Sequence, residues 1–86
     1  MNINQLSELI KKKIKKEINI EFLDIQDKTY LHLKHKSHDK KKFHIKLIIK
    51  SDELSNINKI LSTRKIYKIL DNELNLYIHS IQIELM

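Results

Sequence analysis

Histidine supplies most of the chemistry available to this chain. His32, His35 and His38 follow one another at three-residue spacing, His44 opens a later alternating segment, and His79 lies close to the carboxy end. Neutral imidazole ligates zinc, copper and iron. Three imidazoles at this spacing suit a metal site, and they suit equally a polar, exposed loop that uses histidine as filler. His79 occupies an odd position in a segment whose other odd positions, Tyr77, Ile81, Ile83 and Leu85, are apolar, whereas Ser80, Gln82 and Glu84 hold even ones. It is therefore expected on the apolar side of a strand, partly buried, with its nitrogens satisfied by neighbours.

Other chemistries are closed by absence. The chain has no Cys, which removes disulfides, thiolate catalysis, zinc fingers and any iron–sulfur cluster held on its own thiolates. It has no Gly, so neither a glycine-rich phosphate loop nor the G-x-x-G backbone clamp of RNA-binding KH modules is available. No H-E-x-x-H occurs and no nucleophile sits with an evident base. Asp71 and Glu73 read as solvated partners for lysine on an ordinary helix. No enzymatic activity is expected.

The formal net charge is +6, carried by 16 Lys and one Arg. Such a balance suits polyanions. Lys, Ile and Asn all use A/T-rich codons, and Ile also occurs 16 times, so part of the charge reads as lysine filling solvated positions. The scarcity of Arg argues against base-specific readout, which favours the bidentate guanidinium.

These residues are positioned by a chain of 86 residues, the size of one small domain spanning 1–86. No apolar run approaches the ~18 residues of a membrane span, and the amino end lacks the apolar core and cleavage site of a secretory signal. Ile3, Leu6, Leu9, Ile10, Ile14 and Ile18 recur at helical spacing after a cap at Asn2 or Asn4. Lysines crowd the far half of that helix, where cations suit its dipole. Glu8 and Glu17 count against an import signal and favour a first core helix. A short strand is expected over Ile20–Ile25, an exposed loop over Tyr30–Lys42, and a strongly alternating strand from Phe43 to Lys50. Ser51–Ser55 reads as a polar turn. A helical period returns with Ile57, Ile60 and Leu61, slips at Ser62-Thr63-Arg64, and resumes with Ile66, Ile69, Leu70 and Leu74, which suggests two helices with a tight joint or one bent helix. Tyr77–Leu85 closes the chain as a strand. The order helix, strand, strand, helix, helix, strand requires helices over one face of a small mixed sheet, an α+β class.

At this level of detail the chain resembles the BolA-like proteins, in their longer histidine-loop form. Asp27-Lys28-Thr29-Tyr30-Leu31-His32-Leu33-Lys34-His35 is similar to the D-x-S-x-x-H-x-x-H opening of their long loop. His44-Ile45-Lys46-Leu47-Ile48-Ile49-Lys50-Ser51-Asp52-Glu53-Leu54 resembles their H-F-x-V-x-I-V-S-D-x-F strand and turn. Ser62-Thr63-Arg64-Lys65-Ile66-Tyr67 falls on R-H-R-x-V-Y, and Glu73-Leu74 with Ile78-His79-Ser80-Ile81 on E-L and the terminal I/V-H-A-L strand. The departures from the pattern include three positions. Ser62 and Thr63 replace Arg and His, and Asn56 stands where the F-x-G-K turn has Gly, asparagine being the next most tolerant of left-handed backbone.

The resemblance implies a class II KH-like αββααβ fold with a three-stranded mixed sheet. It also implies a monothiol glutaredoxin partner that shares a glutathione-supported [2Fe–2S] cluster with this chain, in cluster assembly, transfer or iron regulation. The ligands carried over are His79 and His32, with His35 as substitute, and Arg64, Tyr67 and His44 are the partner-binding candidates. The isolated chain is expected to hold no cofactor. The alternative is a KH-like nucleic-acid-binding regulator that offers lysines to DNA phosphates. A homodimer and weak DNA binding stay open; no membrane partner is expected, and the location is cytoplasmic or the mitochondrial matrix, not secreted.

Overall fold

The computed structural model describes residues 1–29 and 42–86. Most of the Tyr30–Lys42 loop reading, with His32, His35 and His38, lies outside the described residues. The elements are α1 (Ile3–Glu17), β1 (Phe22–Asp27), β2 (Phe43–Lys50), α2 (Asp52–Ser55), α3 (Lys59–Ile69), α4 (Asp71–Leu76) and β3 (Ile78–Leu85). The α+β class with a mixed sheet agrees with the sequence reading. Among the described residues four helical segments stand where three were expected.

Helix α1 begins in a full capping box. Gln5 N donates to Asn2 Oδ1 at 2.8 Å and Asn2 N donates to Gln5 Oε1 at 3.0 Å, so two orphan donors of the first turn are satisfied reciprocally. Leu6, Ile10 and Ile14 recur every fourth residue and are buried, and Ile18 leaves the helix extended but still buried. Strand β2 is central, antiparallel to β1 and parallel to β3. Its Ile45, Leu47 and Ile49 point into the helix-covered core with Leu54, Ile66, Leu70 and Ile78. In register beside them stand Leu23 and Ile25 of β1 and Ile81, Ile83 and Leu85 of β3. The opposite face carries Asp24, Gln26, Lys46, Gln82 and Glu84, with a Lys46–Glu84 ion pair at 3.5 Å.

Several local expectations are corrected. Strand β1 lies two residues beyond Ile20–Ile25, because its ladder is fixed by pairing Phe22 with Lys50 and Asp27 with Ile45. Ser51–Ser55 is a capped helical turn. Ser51 Oγ accepts from Leu54 N at 3.2 Å and donates to the Asn19 carbonyl at 2.7 Å, tying this corner to the end of α1. Asn56 is right-handed, with φ −83° and ψ −4°, and no described residue has positive φ. This fold therefore closes its described turns without the backbone freedom of glycine.

The slip at Ser62-Thr63-Arg64 is not a joint between helices. Helix α3 runs through it, and its inner positions Ser62 and Ile66, followed by its C-cap Leu70, fall at every fourth residue and are all buried. The Ser62 hydroxyl donates to the carbonyls of Leu54 at 2.9 Å and Asn58 at 3.1 Å. A small polar residue at a core position broke the apolar pattern without breaking the helix. Ile57, Ile60 and Leu61, with which the helical period returns, are exposed. The joint falls at Leu70, between α3 and α4.

Glu73 also departs from expectation. It is a lysine partner as read, but it is 1% exposed rather than solvated, and both its oxygens accept from Lys13 Nζ at 2.7 and 2.8 Å. A carboxylate taken out of water needs such a partner. Replacing Lys13 with Met is expected to lower the unfolding free energy by about 2 kcal/mol, less than the ~3–5 kcal/mol of fully buried pairs because Lys13 keeps part of its surface in water. The double variant Lys13→Met/Glu73→Leu should recover most of that loss in urea unfolding. A single variant as stable as the parent would show that the pair holds nothing.

Candidate functional site

The site is built where β2 and β3 begin. Phe43 pairs with Ile78, and the next residue, His44, pairs with Ser80. His79 is thus the extra residue of a β-bulge. A bulge changes the phase of a strand whose side chains otherwise alternate between faces. Ile78 is buried before the bulge, Ile81, Ile83 and Leu85 turn toward the core after it, and His79 is exposed. The expectation of a partly buried His79 on the apolar side is corrected. A signal was present in the sequence: the inward residues Ile78 and Ile81 are three apart, whereas Ile81, Ile83 and Leu85 are two apart.

His44 is the buried counterpart, 4% exposed. Its Nδ1 shares a hydrogen bond of 2.6 Å with Ser80 Oγ, and its ring lies 4.6 Å from that of His79, tilted by 55°. Two imidazoles far apart in sequence thereby meet, one fixed and one open to solvent. Among the described residues no group of three or more His, Cys, Asp and Glu is close enough to hold a metal ion.

The main chain of His44 is fastened to the end of β1. Lys28 N donates to the His44 carbonyl at 2.7 Å. His44 N donates to Thr29 Oγ1 at 3.1 Å, and that hydroxyl donates in turn to Asp27 Oδ1. Asp27 also accepts from Thr29 N at 3.0 Å, the Asx-turn arrangement that lets a carboxylate replace backbone pairing. Asp27, Lys28 and Thr29 thus hold the end of β1 against the main chain of His44.

The structure separates the candidate partner residues into two settings. His44 belongs to the histidine pair. Arg64 and Tyr67 lie one turn apart on the outer side of α3. With Lys59, Ile60 and Thr63 they line a shallow, mainly apolar depression of about 310 Å³.

Over residues 14–86 the sequence matches the profile of the family described as BolA-like protein. The chain belongs to this family. A "DNA-binding transcriptional regulator BolA" of Haemophilus influenzae is 32% identical over 80 residues, covering 93% of this chain and 75% of that protein. Two solved structures from Arabidopsis thaliana are similar in fold. BolA1 has a TM-score of 0.76 at 26% identity over 91% of this chain and 86% of its own. The BolA domain of SufE1 has a TM-score of 0.77 at 27% identity over 99% and 92%.

This BolA-like chain also carries a basic groove that spacing alone did not reveal. Lys13 and Lys16 of α1 converge with Lys65 and Lys68 of α3 around a groove of about 570 Å³, with Glu17 and Ile69. Lys65 also pairs with Glu53 at 3.0 Å. The hydrogen bond from Lys65, and then its charge, hold the Glu53 carboxyl below its ordinary range. The ionised form is favoured by folding, so the pair persists at neutral pH and is lost as pH falls through the depressed value. In Lys65→Met, carboxyl resonances should show Glu53 titrating at higher pH than in the parent; an unchanged midpoint would mean that the pair does not form in solution.

Proposed function

We propose that this BolA-like protein is a non-enzymatic adaptor that docks on a monothiol glutaredoxin and shares a glutathione-supported [2Fe–2S] cluster with it, in cluster assembly, transfer or iron regulation. The observation that carries this reading is His79, raised by a bulge into exposure beside His44, where imidazole is free to meet an iron held by another chain. The donor chemistry fits. A cysteine-free chain contributes imidazole, while glutaredoxin and glutathione contribute thiolates. His79 would be one ligand, and His32 or His35 the other. His32 follows Thr29 by three residues, a span of at most ~11 Å, and Thr29 is bonded to His44. Imidazole in place of thiolate on one iron raises the reduction potential. Arg64 and Tyr67 are proposed as part of the docking surface.

Addition of the chain to a cluster-loaded monothiol glutaredoxin with glutathione should produce a new visible circular dichroism spectrum at one-to-one stoichiometry. His79→Ala should fold and abolish it, and the weaker of His32→Ala and His35→Ala identifies the loop ligand. An unchanged spectrum in His79→Ala would refute the assignment.

The α1–α3 groove favours a second reading, binding of DNA through phosphates. Affinity for duplex DNA should then fall steeply with salt, with a slope reduced by about 2 in Lys16→Gln/Lys68→Gln and untouched by His79→Ala. A salt slope equal to the parent's in the lysine variant would exclude this groove.

A further inference from the structure

We propose that His44 is a positioning residue for His79: the Ser80 hydroxyl holds the His44 ring, and that ring sets the direction in which the exposed imidazole is presented. The purpose of this arrangement rests on the reading of His79 as a ligand; the arrangement itself does not.

An exposed side chain on a strand ordinarily samples several χ1 wells. A ligand group that is already oriented loses less freedom when it binds. Metal-bound imidazoles are commonly aimed by a neighbouring group. His44 has the properties of such a group. It is 4% exposed. Its main chain is bonded on both sides, N to Thr29 Oγ1 and carbonyl from Lys28 N. Its ring is tied through Nδ1 to Ser80 Oγ at 2.6 Å, which fixes the ring plane whichever atom carries the proton. The 4.6 Å separation and 55° tilt place His79 within ordinary aromatic contact of that ring.

The bulge makes the arrangement possible. Consecutive side chains of a regular strand point to opposite faces, so one residue of β2 would not touch both 79 and 80. With His79 inserted between the pairs Phe43–Ile78 and His44–Ser80, His44 bonds the second side chain and packs on the first. Ser80, where the family pattern has Ala, is then the residue by which this chain tightens the device.

The test reads the free chain first. Three-bond couplings of His79 in solution should report one dominant χ1 rotamer in the parent and averaging over several in His44→Ala. His44→Phe, which keeps a packed ring, should restore part of the preference. Ser80→Ala, which leaves the His44 main chain intact, should weaken it. The same variants are then titrated into cluster-loaded monothiol glutaredoxin with glutathione, where His44→Ala should require about tenfold more protein for the same signal. Unchanged His79 couplings in both His44→Ala and Ser80→Ala would overturn the proposal, even if the His79-dependent spectrum still forms. Averaged couplings in those variants would uphold it, even if the parent gives no cluster spectrum, and that result would instead sink the adaptor reading.

Discussion

The side-chain period of a strand is two, so one residue inserted opposite the Phe43–His44 step exchanges the faces of everything on either side of it. Without the insertion, either Ile78 or the set Ile81, Ile83 and Leu85 would leave the core, and His79 would share the face of that set. With it, both apolar groups are kept inward and the histidine is the residue left over. The bulge is thus a packing solution that leaves one imidazole outside the core. An exposed imidazole is obtained at a place fixed by the ladder rather than by a loop.

The rest of the molecule holds that place still. Strand β2 is paired on both sides, and Asp27 and Thr29 fasten the end of β1 to the His44 main chain. Glu73, gripped by Lys13, joins α4 to α1, and its carbonyl accepts from Tyr77 N immediately before β3. Ser62 ties α3 to the carbonyl that ends the preceding turn. These are polar contacts at specific points, that of Ser62 with Leu54 fully buried, in a short chain whose apolar core is modest.

The sequence is legible where one physical rule dominates. Strand β2 and helix α1 follow their periodicities, and the cap at Asn2 follows from its side-chain chemistry. Misreadings arise where a polar residue holds an inward position. Ser62 looked like a break because its burial depends on a carbonyl eight residues away. Glu73 looked solvated because its partner lies sixty residues earlier. Ile57, Ile60 and Leu61 carry the helical period yet face outward, because apolar type and helical spacing do not by themselves choose a side. His79 is singled out as a candidate by resemblance, yet its exposure depends on the register against β2, a long-range fact. The absence of Gly proved compatible with tight turns because the described ones need no positive φ.

The account stands on a direct bond between iron and an imidazole of this chain. Its most direct test labels only this chain with nitrogen-15, assembles it with unlabelled cluster-loaded monothiol glutaredoxin and glutathione, reduces the complex and records pulsed electron paramagnetic resonance. The account predicts strong nitrogen-15 hyperfine coupling from a bound imidazole, removed when His79 is replaced by Ala. A reduced cluster in a confirmed complex, with only weak nitrogen-15 coupling of the size given by backbone hydrogen bonds, would contradict it.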